Sequence, residues 1–306
     1  MEKTKQFFVC FALDVDRDCP IPHKGERSAY SDYFISKGIK KSEFKASEKG
    51  LIQTLKILNE MKINANLFFE ARTLLNISEN KNILKEIDGH GIGCHGFDHE
   101  DFSSKRTDVR LDYNTKIEII EKAKTTISQV LDKKCNGFRA PYLKYDKETL
   151  EVIADLKFNY DSSMNTRDKI YIDNFGLEND SYEPFLIETK KNSFIEFPNL
   201  VMKERDRSMW MYLWPLFEGQ RNIQEYYDAI KQIHSKNNDG LLIISNHSWH
   251  IAYQKNQKRY LQKHEIEYNT EQLKKIFQFI IRLPNTRFVT MEEYIKEHKI
   301  LKTMKI

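Results

Sequence analysis

Two aspartates separated by one residue, in Leu13-Asp14-Val15-Asp16, close an apolar run that begins at Phe7. On an extended backbone alternate side chains share a face. One carboxylate could then bind a metal while the other acts on a bound water. An isolated Asp-x-Asp also suits a turn or a helix cap. Further on, Gly89-His90-Gly91-Ile92-Gly93-Cys94-His95-Gly96-Phe97-Asp98-His99 sets two histidines four apart, a spacing that on a helix stacks both imidazoles on one face. With Asp16, His95 and His99 offer two nitrogens and one carboxylate oxygen, a set that leaves positions open for water and substrate. A structural zinc site would instead close its fourth position with protein. Two more segments carry reactive side chains. Gly137-Phe138-Arg139-Ala140-Pro141-Tyr142 puts an arginine at a strand end, before a proline that lacks an amide hydrogen and a tyrosine that has one. Leu241-Leu242-Ile243-Ile244-Ser245-Asn246-His247 is an apolar strand that ends in a histidine.

Such residues must be held by strands that end at a common edge. Short apolar runs alternate with helix-period segments, the pattern of βα units. The candidate strands are Phe7 to Leu13, Asn66 to Phe69, Gly91 to Cys94, Gly137 to Arg139, Ile195 to Phe197, Leu241 to Ser245 and Phe288 to Val289. Between them, helical spacing relates Leu51, Leu55, Leu58 and Met61, then Ile120, Ile127 and Leu131, then Ile223, Tyr226, Ile230 and Ile233. Leu273, Ile276, Phe277 and Ile280 mark another helix, begun near Thr270 and stopped before Pro284. Arg17 to Glu43, with Pro20, Pro22, Gly25 and Gly38, reads as a long loop. Lys203 to Gly219 is irregular and aromatic, and its Trp210, Tyr212, Trp214 and Phe217 suit core packing and substrate contact equally. No repeat or linker divides the chain, so residues 1–306 are expected to form one domain.

Hydrophobic residues make up 40% of the 306 and charged residues 31%, enough for a large core under a solvated surface. The net charge of +4 arises from 49 basic and 45 acidic residues, with lysines scattered along the chain. No basic stripe speaks for nucleic acid. Cys10, Cys19, Cys94 and Cys135 lack the short paired spacings of a zinc ribbon or disulfide framework and are expected as reduced thiols. Phe7 to Leu13 is too short for a signal segment, and no stretch approaches the roughly 20 apolar residues of a membrane helix. A soluble, cytoplasmic protein is the expectation.

In this order and near these separations, the four reactive segments resemble the polysaccharide deacetylase family, the NodB-homology group of carbohydrate esterases. That family shows Thr-Phe-Asp-Asp, His-x-x-x-His, Arg-x-Pro-Tyr and a late Leu-x-His on an α/β fold, a distorted (β/α) barrel of about seven strands. The spaced Asp-Val-Asp, the His-Gly-Phe-Asp-His-Glu wording and the Arg-Phe-Val-Thr-Met-Glu-Glu tail look closest to an intracellular subgroup that includes peptidoglycan-deacetylase-like and cyclic-imide or allantoinase-like hydrolases. The resemblance implies Asp14 as general base and Asp16, His95 and His99 as metal ligands. It further implies Arg139 as the group orienting the base, the Tyr142 amide at the oxyanion site, His247 as general acid and Asp161 as its acidic support. Zinc is the first metal expected, with cobalt, nickel or manganese also suited.

The sequence departs from the family at three places: the aspartates are not adjacent, Asp18 offers a third carboxylate, and no Asp-Trp pair follows Ser163. His250 stands close enough to compete with His247. The function implied is metal-dependent hydrolysis of an amide, removing an N-acetyl group from a sugar or sugar precursor. Ring opening of a small cyclic amide or imide is the alternative. A non-haem iron oxygenase would leave Asp14, Arg139 and His247 without a role, and a carbohydrate-binding barrel without turnover would need none of them.

Overall fold

The computed structural model describes residues 6–176, 182–203, 208–236 and 240–306. Its centre is a ten-stranded sheet. In chain order the strands are β1 (Phe7–Val15), β2 (Asn66–Phe69), β3 (Gly91–Cys94), β4 (Gly137–Phe138), β5 (Tyr160–Asp161), β6 (Phe185–Glu188), β7 (Ser193–Glu196), β8 (Leu241–His247), β9 (Thr286–Phe288) and β10 (Lys302–Lys305). Seven run parallel in the order β8-β1-β2-β3-β4-β5-β7, which matches the seven or so strands expected. Beyond β7 the path turns through an antiparallel pairing with β6 and ends on β10, while β9 pairs with the first residues of β1. Every residue of β1 is buried, as a parallel strand covered on both faces must be.

Register explains where the reactive side chains fall. Val15, Phe69, Cys94, Phe138, Asp161 and Glu196 form one row across adjacent strands. The residues one step beyond are Asp16, Glu70, His95, Arg139 and Ser162, all at the carboxyl ends of parallel strands, where α/β folds build their sites. On the other side of β1, Asp14 pairs with His247.

Among the described residues the five helices of nine or more residues are α1 (Lys45–Met61), α2 (Tyr113–Leu131), α3 (Lys147–Asp155), α4 (Ile223–Lys236) and α5 (Lys263–Ile281). The expected stripes bury Leu51, Leu55 and Leu58 on α1, Ile120 and Ile127 on α2, and Leu273, Ile276, Phe277 and Ile280 on α5. Each such side chain contributes about 1.5–3 kcal/mol on burial. Helix α1 lies against the turn Ser248–Ile251 so closely that a Cβ on Gly50 would stand 1.8 Å from the Ser248 carbonyl oxygen.

Three strands lack a readable sequence pattern. Tyr160–Asp161 spans only two residues, Phe185–Glu188 is a short strand with alternate residues buried, and Lys302–Lys305 is a mostly polar strand at the sheet margin with Met304 alone buried. The long Arg17 to Glu43 segment is irregular as expected, but it is pinned. The buried Arg17 donates from its backbone N and its Nε to Glu70, 2.8 Å each, from Nη1 to Ser42 Oγ at 2.6 Å and to the Ala29 carbonyl, and lies 3.0 Å from Asp98. The aromatic segment is described except for residues 204–207, which lie outside the described residues. All four cysteines are free and buried. No helix among the described residues is long and apolar enough to cross a membrane.

Candidate active site

Asp16, His95 and His99 converge. One ligand atom from each lies within 4.8 Å of the others, and all three residues are buried. The histidines do not share a helix face, contrary to the reading of their four-residue spacing. They sit on a loop in which Gly96 (φ 76°) and His99 (φ 58°) adopt left-handed backbone, a conformation no helix continues. Glu100 closes this loop by accepting from the Phe97 and Asp98 amides at 2.9 Å each. The imidazoles meet edge to face, 5.0 Å between centroids.

The donor set fits a divalent cation. Asp16 Oδ1, His95 Nε2 and His99 Nε2 are buried and have no hydrogen-bond partner among the described residues, whereas buried polar atoms are normally satisfied. His95 Nδ1 lies 2.8 Å from the Arg139 carbonyl oxygen, so that contact fixes the tautomer and leaves the Nε2 lone pair free, the usual support of a metal-ligating histidine. Burial pushes the His95 pKa down to about 4 and keeps the ring neutral, as ligation needs. Burial opposes ionisation of Asp16, but His247 and His99 outweigh it and bring its pKa down.

Asp14 faces a different set of partners. Its Oδ1 accepts from Arg139 Nη1 at 3.0 Å and its Oδ2 from the Tyr212 hydroxyl at 3.1 Å. Arg139 is fully buried and is held by the Ser162 carbonyl (3.1 Å), Ser162 Oγ (2.9 Å) and Ser245 Oγ (3.2 Å), with the Phe68 ring beneath it. Burial disfavours its charge, yet Tyr212 and Asp14 raise its pKa. Tyr212 is the partner that sequence reasoning missed. Its place beside Asp14 depends on a backbone bridge to Ser245 on β8, a contact with no local signal.

Tyr142 has φ 59° in the turn Pro141–Leu143, and its ring meets His99 edge-on at 4.5 Å. The turn's hydrogen bonds run from Leu143 N to Ala140 O and from Lys144 N to Pro141 O, passing over the Tyr142 amide. His247 Nδ1 lies 3.1 Å from Asp16 Oδ2, with the side chain reaching the cavity. Burial opposes its protonation, and Asp16 more than offsets this and raises its pKa.

The remaining candidates fall elsewhere. Asp161 does not meet His247: its Oδ1 accepts from Ser163 Oγ at 2.6 Å, and its carboxyl pairs with Glu196 on β7. Ser163 Oγ in turn accepts from the Ala140 amide at 2.7 Å, so Asp161 braces the backbone beside Arg139. Asp18 accepts from the Ala46 and Ser47 amides at 2.9 and 2.8 Å. It serves the first turn of α1, where exposed amides favour a carboxylate. His250 is buried, stacks on Trp249 at 3.6 Å, and has Glu218 4.0 Å from its Nε2. A cavity of about 300 Å³ opens over Asp14, His95, His99 and His247 and is walled by Trp210 and Trp214.

Residues 47–160 match the family model for polysaccharide deacetylase. The chain is 23% identical over 164 residues to a peptidoglycan deacetylase of Helicobacter pylori, a stretch that covers 54% of this chain and 52%, about half, of that relative. Among solved structures, a Mycobacterium smegmatis protein assigned to the polysaccharide deacetylases superposes with a TM-score of 0.66 at 17% identity, covering 99% of this chain and 95% of the other. A Pseudomonas aeruginosa PAO1 protein with the same assignment gives 0.65 at 13%, covering 97% and 94%. At these identities the structural likeness speaks for the fold.

Proposed function

From the match of residues 47–160 to the polysaccharide deacetylase model, we propose that the chain is a metal-dependent amidohydrolase that removes an N-acetyl group from a sugar or sugar precursor. The observation that carries this reading is the adjacency of two carboxylates with separate partners: Asp16 beside His95 and His99, and Asp14 held by Arg139 and Tyr212. Asp16, His95 and His99 would hold one divalent cation, zinc in the first place. Such an ion lowers the pKa of water toward about 7 and polarises a carbonyl.

The chain's own residues supply the rest. Asp14 takes the proton of the attacking water. Arg139 keeps that carboxylate charged and aimed, since an adjacent cation favours the ionised form. The Tyr142 amide, unused by its own turn, donates to the oxygen that becomes negative as the carbonyl is attacked. His247 gives a proton to the departing nitrogen, because an amine leaves poorly without one. Residues 1–306 would act as one catalytic unit.

The test is a screen of zinc-loaded protein against N-acetylated sugars and cyclic imides, with released acetate and ring opening both followed. Acetate release that disappears on chelation and returns with metal is the expected result. Ring opening without acetate release would replace this reading with cyclic-amide hydrolysis, and metal-independent turnover would remove the metal from it.

A further inference from the structure

The mouth of the cavity carries charge of one sign. Arg106 and Lys255 both line it and both are exposed. The Arg106 guanidinium lies over the Tyr142 ring, 4.9 Å from its centroid, and Tyr142 in turn meets His99. That cation is therefore two ring contacts from the candidate metal ligands. Lys255 projects from a turn held by Glu218, whose two oxygens accept from the Lys255 and Asn256 amides at 2.7 and 3.0 Å. Glu218 thus engages the backbone of this turn. Among the described residues neither cationic side chain has a carboxylate within ion-pair distance. Asp14 is, among the described residues, the one acidic side chain lining the cavity, and Arg139 already balances it.

Surface lysines and arginines are usually solvated and indifferent. These two differ because they share one concave site, unbalanced, with aromatic walls at Trp210, Trp214 and Trp249 that bring no charge. A cleft of one sign with low-dielectric walls focuses its field on an incoming ligand. The planar guanidinium suits two oxygens of one oxyanion. The cavity, about 300 Å³, lies at the small end of ligand sites and admits a single N-acylated ring with its substituent.

We propose that the substrate of this site is a small N-acylated molecule that also bears an oxyanion, a carboxylate or a phosphate, bound at the cavity mouth by Arg106 and Lys255. The proposal rests on the amide-hydrolysis reading above, and its test separates the two. Zinc-loaded protein is given N-acetylglucosamine, its 6-phosphate and its 3-O-lactyl ether, and both kcat/KM for acetate release and Kd by calorimetry are measured. One anionic compound should be preferred over the neutral one by roughly ten-fold or more at low salt, and the preference should shrink as salt rises. The preferred anion tells phosphate from carboxylate. Combining Arg106→Gln with Lys255→Gln should bring the ratio of anionic to neutral close to one, through KM and Kd, and Arg106→Glu should turn it against the anion. Equal handling of neutral and anionic compounds by the parent protein, or a preference that survives the double variant, overturns the proposal and leaves hydrolysis standing. Charge-dependent binding without acetate release upholds the oxyanion site at Arg106 and Lys255 and overturns hydrolysis, and with it the bound molecule's standing as substrate. If none of the three binds or reacts, the proposal falls.

Discussion

Asp14 accepts hydrogen bonds from Arg139 and Tyr212, whereas Asp16 faces His99 and His247, so substitutions at the two positions should separate chemically. Asp14→Asn should retain the metal yet lower kcat by about 10²- to 10⁴-fold, the usual worth of general acid-base catalysis, with metal content measured on the same sample. It should also lower Tm, since the buried Arg139 loses its counter-charge. Loss of metal instead would exchange the roles of the two aspartates. His247→Ala should damage amide hydrolysis far more than hydrolysis of an activated phenyl ester, which needs little protonation at departure. His250→Ala should show no such split, and equal loss on both substrates would remove the acid role from His247. Asp14, Asp16 and His247 are legible in the sequence because each stands at the end of an apolar run, and Arg139 because it opens Arg-Ala-Pro-Tyr; both are local signals. Tyr212 is not, because only a distant backbone bridge brings its hydroxyl to Asp14.

Gly50 is a point at which the elements that hold these residues meet. Gly50→Ala on α1 drives a methyl against the Ser248 carbonyl, where backbone rather than a flexible side-chain end must yield. A loss of about 1–3 kcal/mol is the usual cost of such overpacking, read as a lower denaturation midpoint. Because Ser248 follows His247, amide hydrolysis should fall more than ester hydrolysis in this variant too. An unchanged midpoint would mean that α1 and the turn separate easily. The helices themselves are readable from spacing, since their apolar stripes repeat over several turns. The loop bearing His95 and His99 misleads, because a four-residue spacing is compatible with a helix until Gly96 and His99 take left-handed backbone. Nothing in the spacing records that choice.

Across the molecule, the paired carboxyls of Asp161 and Glu196 link β5 to β7 in direct register. Burial raises both, Asp161 to about 6 and Glu196 well above the usual carboxylate range, with Asp161 adding to the rise at Glu196. Groups raised on folding stabilise most below their unfolded pKa and lose that contribution as pH rises through the folded value. Stability should therefore decline from about pH 4, where the unfolded carboxyls ionise, through about pH 6 for Asp161 and further for Glu196, and Glu196→Gln, which needs no shared proton, should flatten the decline in a series of denaturation midpoints against pH. A parallel curve for parent and variant would assign the decline to other groups.

Strand β1 lies between β2 and β8, and these two neighbours arrive at very different times. During synthesis at roughly 5–20 residues per second, β8 emerges about 12–47 s after β1. Until then the strand that carries Asp14 and leads into Asp16 has one edge open. Unpaired edges of apolar strands recruit other chains. Soluble yield in cell-free synthesis should accordingly fall as template concentration rises, and faster elongation, which shortens the wait for residues 241–247, should raise it.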